Sequence, residues 1–205
     1  MPAAASLASY SESHETVLTQ IILLLASTVC DLLSVALLAR FALQAVRAPF
    51  RNPLGQFLLA TTNWMVIPVR RVVPSAFGYD SASMLLAWVW QMIYVGVAGA
   101  LSSGALGLIA VSVPGIVVIG LFETLKLMVY LAMAIVLVSA IFSWVNPYAP
   151  MAESVNQLAS PLLRPFRRLV PPLGGIDLSP LVLLLALQIV LIVLSSLRNS
   201  LLSLL

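Results

Sequence analysis

Charged side chains are scarce in this sequence, and their scarcity decides the class of protein. Asp, Glu, Lys and Arg make up 8% of the 205 residues, whereas a soluble globular domain has about 25%. Hydrophobic residues make up 61%, and the mean hydropathy is +1.10. A folded domain with so few charges could not keep its surface in water. The composition therefore excludes a soluble globular protein and predicts one that lies in a bilayer.

Lysine, histidine and cysteine each occur once, as Lys126, His14 and Cys30. A single cysteine excludes an intramolecular disulfide, and the sequence has no Cys/His spacing for a metal, no nucleophile–base set and no glycine-rich phosphate loop. We therefore predict no enzymatic activity and no cofactor. Nine of the ten cations are arginine. In so apolar a chain they indicate membrane sidedness and lipid headgroups, and no direct binding of nucleic acid.

Four apolar runs are long enough to cross a membrane. The first, of about 23 residues, would extend about 34 Å as a helix, against a hydrocarbon core of about 30 Å. A further apolar stretch, residues 105–120, contains Pro114-Gly115, and we expect a re-entrant or interfacial connector there, or an extension of its neighbours. Residues 1–16 form a polar tail without cations, so we expect no cleaved signal peptide. The predicted spans are residues 17–39, 83–104, 125–145 and 179–198.

The chain contains an internal repeat, whose clearest part is an arginine pair between two prolines. Residues 68–74 (PVRRVVP) match residues 165–171 (PFRRLVP) 97 positions later. A set of single residues follows the same interval: Pro53 with Pro150, Gly78 with Gly175, Asp80 with Asp177, and Gln91 with Gln188. So many matches in one register indicate a duplicated unit.

Upstream of the arginine motif the interval changes. Glu15-Thr16 matches Glu123-Thr124 at 108 positions, so we expect eleven extra residues in the first copy, such as residues 41–51. The two repeats are then residues 17–104 and 121–200, joined by the connector of residues 105–120.

Each repeat has a shorter, arginine-rich segment between its two spans. In the first copy, Leu54, Leu58 and Met65 recur near helical spacing, which is typical of an amphipathic helix in the membrane interface, and Pro68 should end it. Arginine-rich loops favour the cytoplasmic side, so we expect both copies to run parallel and both termini to lie outside, although Arg198 does not fit this pattern. The predicted fold is an all-α polytopic membrane protein. About four transmembrane helices form two parallel helix–loop–helix repeats, each with a cytoplasmic amphipathic interfacial helix.

Five arginines are the first candidates for function, because the planar guanidinium group suits the phosphate of anionic phospholipids or the carboxylates of a protein partner. A purely topogenic role is the alternative. Two aspartates, Asp80 and Asp177, precede spans and are expected to cap helices. The candidate arginines are Arg70, Arg71, Arg164, Arg167 and Arg168.

Polar and small residues inside the spans are the other candidates. Asp31 is either a functional residue, as a proton or cation site or an interhelical partner, or a protonated acid that is hydrogen-bonded to a neighbouring helix. Gln91 and Gln188 occupy equivalent places in the second and fourth spans, where structural hydrogen bonding is favoured over a conduction path. A small-xxx-small face predicts close helix packing, within the chain or in a homo-oligomer. It consists of Gly96, Ala100 and Gly104.

The two arginine motifs, together with Ser143-Trp144 and residues 161–180 (PLLRPFRRLVPPLGGIDLSP), resemble the YggT family of bacterial inner-membrane proteins. The resemblance covers nearly the whole chain, since family members of this size carry two such repeats. The first copy lacks the Ser-Trp pair and has Asn63-Trp64 in place of Ser160-Pro161. The resemblance implies the bacterial inner membrane, with relatives in cyanobacteria and chloroplasts. Their roles are scattered, from osmotic stress and ion uptake to plastid cytochrome maturation and nucleoid organisation, without agreed functional residues.

Two functions stay open on the sequence. The favoured one is a non-enzymatic scaffold or assembly and stress-response factor, whose cytoplasmic arginine loops contact anionic lipid or a protein partner. The alternative is a small transporter of ions or osmolytes, or a modulator of ion uptake, motivated by Asp31, Gln91, Gln188 and the Pro114-Gly115 break. Four spans make a thin pathway, so a transporter would need to oligomerise.

Overall fold

The structure is a computed structural model, and it describes residues 2–48, 50–73, 80–101, 112–146, 151–169 and 177–203, with the backbone alone for residues 2–16, 144 and 145. Six helices account for most of these residues. Four of them contain segments long and apolar enough to cross a membrane, namely Val17–Ala45, Ser81–Leu101, Val113–Ser143 and Ser179–Leu202. The prediction of an all-α polytopic membrane protein with four spans is confirmed. The helices are α1 Pro2–Ala45, α2 Pro53–Arg70, α3 Ser81–Leu101, α4 Val113–Val145, α5 Ala152–Leu169 and α6 Ser179–Leu202.

Two helices extend beyond their predicted bounds. Helix α1 begins at Pro2, so the backbone of residues 2–16 continues the first helix and does not form a separate tail. Helix α4 begins at Val113, so residues 113–120 extend their neighbour, while residues 105–111 lie outside the described ranges. The hydroxyl of Ser112 accepts a hydrogen bond from the Gly115 amide at 3.2 Å, and Pro114 occupies the first turn. Pro114-Gly115 therefore starts a helix and does not break a span.

Each repeat consists of a spanning helix, a shorter helix and a second spanning helix. In the first repeat α1 packs against α2 and α3, and in the second α4 packs against α5 and α6. The repeats join where α4 packs against α3 and α1. Helix α3 thus has spanning neighbours on two sides, whereas α6 packs mainly against α4 and α5. This difference decides the environment of equivalent residues in the two repeats.

The core fixes the register of the duplication. Leu37 of α1 packs with Val66 of α2, and Val136 of α4 packs with Leu163 of α5. Val136 follows Leu37 by 99 positions and Leu163 follows Val66 by 97. The net insertion in the first copy is therefore two residues and not eleven, since equivalent core positions must fill the same space against the interfacial helix. In this register the counterpart of Arg40 is Ser139.

The two shorter helices lie at the same end of the helix bundle. The side-chain amide of Asn52, which caps α2, donates to the hydroxyl of Ser154 in α5 at 2.6 Å. Leu158 of α5 packs in one cluster with Leu43 and Leu58 of the first repeat. Both arginine-bearing segments consequently belong to one face of the molecule, as a parallel duplication requires.

Candidate functional site

A buried carboxylate holds the first repeat together. Asp80 directly precedes α3 and is 2% exposed. Its oxygens accept from Arg70 of α2 in a bidentate arrangement, at 2.5 Å from Nη2 and 3.2 Å from Nε. Arg40 of α1 lies on the other side, with Nε 3.4 Å from Oδ2, and Ser83 donates its hydroxyl at 2.6 Å and its amide at 3.4 Å. One carboxylate therefore links three helices.

Arg40 is the residue that the sequence reasoning missed. It is 3% exposed, and its Nη1 donates to the Thr62 hydroxyl and to the side-chain Oδ1 of Asn63, both at 2.8 Å. The signal was present, because two adjacent polar side chains on α2 are unexpected beside a spanning helix unless they meet a buried donor. We call Asp80, Arg40, Arg70, Ser83, Thr62 and Asn63 the Asp80 cluster.

The Asp80 carboxylate is stabilised in its charged form. Burial raises the pKa of Asp80. The hydrogen bonds from Arg70 and Ser83 and the charge of Arg70 lower this pKa by more than burial raises it, so it lies below the ordinary value. The predicted capping role is correct as far as the Ser83 amide goes. The ion pairs with Arg40 and Arg70 also connect α1 and α2 to the start of α3, which capping alone does not do.

The second repeat has a weaker copy of this arrangement. Asp177 accepts from Arg167 Nε at 2.9 Å and from the Ser179 amide at 2.9 Å. Burial raises its pKa and the bonds from Ser179 and Arg167 lower it, so the pKa again lies below the ordinary value. The pair is open to solvent, however, with side chains 53% and 34% exposed. Ser139 stands where the first repeat has Arg40, and within the described ranges Arg167 is the arginine that pairs with Asp177.

The candidate arginines therefore divide into two groups. Arg70 and Arg167 are committed to ion pairs within the chain. Arg71, Arg164 and Arg168 are exposed and form no ion pair within the part of the chain that the structure describes. Two further exposed arginines lie at the same end, in the segment between α1 and α2. We call the five exposed residues the arginine surface: Arg47, Arg51, Arg71, Arg164 and Arg168.

The two interfacial helices beside this surface have different outer faces. Helix α2 buries Leu58 and Met65 and exposes Phe57, Trp64 and Ile67, so it is apolar on two sides. Helix α5 buries Ala152, Val155, Leu158, Ala159 and Leu163 and exposes its arginines. The prediction of an amphipathic helix thus describes α5 well. Helix α2 instead has apolar residues on its exposed side as well as on its buried side, with arginines at both of its ends.

The polar residues inside the spans do not form one group. Gln91 of α3 is buried, and its amide donates to Asp31 Oδ1 at 3.0 Å and to the Ser34 hydroxyl at 3.1 Å, both on α1. Ser34 in turn donates to the Ala87 carbonyl of α3 at 3.2 Å. Asp31 therefore accepts a hydrogen bond from a neighbouring helix, and a proton or cation site there stays a prediction. Gln188 is exposed on α6, away from this group.

Among the described glycines of the spanning helices, the tightest contact lies at Gly120, outside the predicted small-residue face. A Cβ atom on Gly120 of α4 would stand 2.7 Å from Met92 Cγ and 3.2 Å from the Met92 amide nitrogen of α3. A Cβ on Gly96 would meet only Ile116 Cδ1, at 3.9 Å. Ala100 is exposed, and Gly104 lies outside the described residues. Gly96 thus faces α4 at ordinary contact distance, and packing of the predicted small-residue face in a homo-oligomer stays a prediction.

Arg198, which did not fit the charge pattern, forms an ion pair within the chain. Its Nη1 lies 3.3 Å from Glu123 Oε1, and Lys126 Nζ lies 3.0 Å from Glu123 Oε2. These three residues lie far from the arginine surface along α4 and α6. The unpaired positive charge of the described residues is therefore concentrated at one end of the bundle.

The fold and these polar contacts define a class: a polytopic α-helical membrane protein of two tandem repeats, with an arginine-rich end. A sequence model of the CCB3/YggT family matches residues 19–101 and 118–198. The chain belongs to this family. The start points of the two matches are 99 positions apart, in agreement with the register of the core.

Relatives share most of the chain's length. YggT of Escherichia coli is 38% identical over 167 residues, which are 81% of this chain and 85% of the relative. An uncharacterized Pseudomonas aeruginosa protein is 36% identical over 165 residues, 80% and 82% of the two chains. The ycf19 protein of Guillardia theta is 36% identical over 75 residues, which are 36% of this chain but 82% of the relative. That match is about as long as one repeat. No solved structure matches the chain.

Proposed function

We propose that this protein is a non-enzymatic membrane scaffold, an assembly or stress-response factor whose arginine surface binds anionic phospholipid and holds a protein partner. The observation that carries the proposal is the concentration of five exposed arginines, without ion pairs among the described residues, at one end of the bundle. The location that suits it is a bacterial inner membrane, with the arginine surface cytoplasmic and both termini on the other side.

Counter-charges at that end are few. Asp80 and Asp177 are engaged by Arg70 and Arg167, and Glu153 of α5 is the exposed carboxylate that remains among the described residues there. A basic residue near an anionic leaflet contributes about 1 kcal/mol, so five could contribute roughly 5 kcal/mol before screening by salt. The surplus of positive charge supports an anionic ligand over a purely structural role.

The apolar outer face of α2 supports the lipid part of the proposal. Phe57, Trp64 and Ile67 are each more than half exposed, and the Trp64 indole donates only to the Thr61 carbonyl of its own helix, at 2.8 Å. Aromatic side chains of this kind favour the membrane–water interface. Arginines at both ends of α2 can then reach headgroup phosphates while the helix rests on acyl chains.

A lipid-retention measurement tests the first part. The protein is reconstituted into nanodiscs of phosphatidylglycerol and phosphatidylcholine, and the lipid that remains bound after extraction is counted by native mass spectrometry. We expect the triple change of Arg71, Arg164 and Arg168 to Gln to reduce the preference for phosphatidylglycerol strongly, with the remainder due to Arg47 and Arg51. The same triple change to Lys should keep most of it, because the charge is retained. Lys126→Gln, at the other end of the bundle, is the control. An unchanged preference in the Gln variant would refute lipid binding here.

A cross-linking experiment tests the partner. Arg164→Glu with Arg168→Glu reverses two exposed charges and leaves the Arg167–Asp177 pair intact. Cross-linking in native membranes followed by mass spectrometry should show a protein captured by the wild type and lost in this variant. An identical capture profile would remove the support for a scaffold. Cysteine labelling of both arginine segments from the cytoplasmic side tests the orientation.

Ion or osmolyte transport, or modulation of ion uptake, is the second candidate, since Asp31 is a carboxylate inside a span. Its hydrogen bond from Gln91 and the separate position of Gln188 give it less support than the arginine surface gives the scaffold. A proteoliposome flux assay comparing wild type with Asp31→Asn decides the matter. Flux that the variant loses would favour transport, and absence of flux from the purified wild type would exclude transport by this chain alone.

A further inference from the structure

Helix α6 is exposed around most of its circumference, so spacing alone selects no face, and one row of exposed residues is distinguished by the Gln188 amide that it contains. The intervals between them alternate between four and three positions, and half of the side chains are polar. We call this set the α6 stripe: Leu181, Leu185, Gln188, Ile192, Ser195 and Asn199. The residues that α6 packs into the second repeat, Leu183, Leu184 and Leu187, lie on a different face.

The geometry of the stripe matches a helix–helix contact through the membrane. Alternating intervals of four and three are the heptad spacing at which two helices stay in contact along their length. The stripe extends from Leu181 to Asn199, 18 steps along the helix or about 27 Å, against a hydrocarbon core of about 30 Å. Gln188 follows Ser179 by nine positions, or about 14 Å, so it lies near the middle of the bilayer.

Gln188 at this depth has no partner for its amide among the described residues. Acyl chains offer no hydrogen bond, and an amide in hydrocarbon seeks one from another helix. The equivalent Gln91 is buried and donates two hydrogen bonds to α1. Ser195 differs from Gln188, because its hydroxyl donates to the Leu191 carbonyl of its own helix at 2.9 Å. Its small side chain leaves room for a close neighbour.

We propose that a second copy of this chain packs against the α6 stripe. A carboxamide is both donor and acceptor, so two Gln188 side chains related by a two-fold axis can exchange two hydrogen bonds. The stripe carries no charge, and the neighbouring Arg198 is already paired with Glu123, so a partner with complementary charges is not required. Heptad spacing favours a left-handed crossing of about 20°. The inference is independent of the proposed scaffold function.

Cysteine cross-linking tests the contact and its face. In a Cys30→Ser background, Leu185→Cys and Ile192→Cys place thiols on the stripe and keep Gln188. Val193→Cys is the matched control, because Val193 is 50% exposed and lies about 100° around the helix from Ile192. Mild oxidation in native membranes should give a covalent dimer, twice the 21.9 kDa chain, from the stripe variants only. No dimer, equal dimer from Val193→Cys, or a product of another mass would each overturn the proposal.

A dissociation constant tests the role of Gln188. Fluorescence energy transfer between labelled copies, diluted in neutral phosphatidylcholine vesicles, measures the monomer–dimer equilibrium. We expect Gln188→Leu to raise the dissociation constant about three- to twenty-fold, Gln188→Asn to raise it less, and Val193→Leu to leave it unchanged. An unchanged constant in Gln188→Leu would overturn the pairing. Replacing the arginine surface with glutamine should not affect the dimer, which separates this test from that of the scaffold.

Discussion

The substitution Asp80→Asn is expected to be among the most damaging conservative changes in the first repeat. The Asp80 side chain is 1% exposed, and it is the counter-charge for Arg40, whose own side chain is 4% exposed. Asparagine keeps the shape and can still accept from Ser83, so the change removes mainly the charge. Removing one partner of a buried ion pair costs about 3–5 kcal/mol, because the other charge stays buried without compensation.

The second repeat supplies the matched control. Asp177→Asn removes the same charge at the equivalent position, but that pair is exposed and no buried arginine depends on it. Exposed pairs contribute about 0–1 kcal/mol, so the two variants should differ by about 3 kcal/mol in the free energy of unfolding. Equilibrium unfolding by SDS titration from detergent micelles, followed by tryptophan fluorescence and circular dichroism, measures both. Equal free energies of unfolding for the two variants would refute the stabilising role of the buried Asp80 ion pairs in the first repeat.

The same carboxylate predicts a dependence on pH. The pKa of Asp80 is lower in the folded protein than in the unfolded chain, so its contribution is fully present above the unfolded pKa of about 3.9. It is lost as pH falls through the lower, folded value. Wild type should therefore lose stability relative to Asp80→Asn between about pH 4 and the onset of acid unfolding. If the difference in free energy of unfolding between wild type and Asp80→Asn stayed constant over that pH interval, the lowered pKa of Asp80 would be contradicted.

Two further pairs of variants test the packing of the spans. Gly120→Ala should destabilise by about 1–3 kcal/mol, since its Cβ would press on Met92, whereas Gly96→Ala, with ordinary contact distances, should leave SDS-unfolding midpoints unchanged. Gln91→Leu should lower monomer stability by about 0.6–1.7 kcal/mol through the lost α1–α3 hydrogen bonds, measured in dilute detergent. Gln188→Leu should have no effect on the monomer, and a loss equal to that of Gln91→Leu would contradict the placement of these two residues.

The sequence alone determined the class, the four spans and the duplication. Transfer of a segment into a bilayer depends on the sum of its side-chain transfer free energies, which can be read along the chain without knowing any contact. The proline–arginine motifs revealed the repeat in the same one-dimensional way. Hydrogen bonds between residues three apart begin α2 at Asn52 and α4 at Ser112, but the sequence predicted a connector over residues 105–120 and a third span from residue 125. The starts of α1 and α4 could not be predicted from the sequence, because long helices continue through weak local signals.

Only the tertiary structure decided which polar residues are free. Arg70 and Arg71 are adjacent in sequence, yet one is bound to Asp80 and the other is exposed. Gln91 and Gln188 are equivalent in the repeat, but α3 lies between two spanning neighbours and α6 lies at the edge of the bundle. The physical reason is that hydrogen bonds and ion pairs depend on which face of a helix meets which neighbour. That arrangement is a property of the packed bundle, and two copies of one sequence motif need not share it.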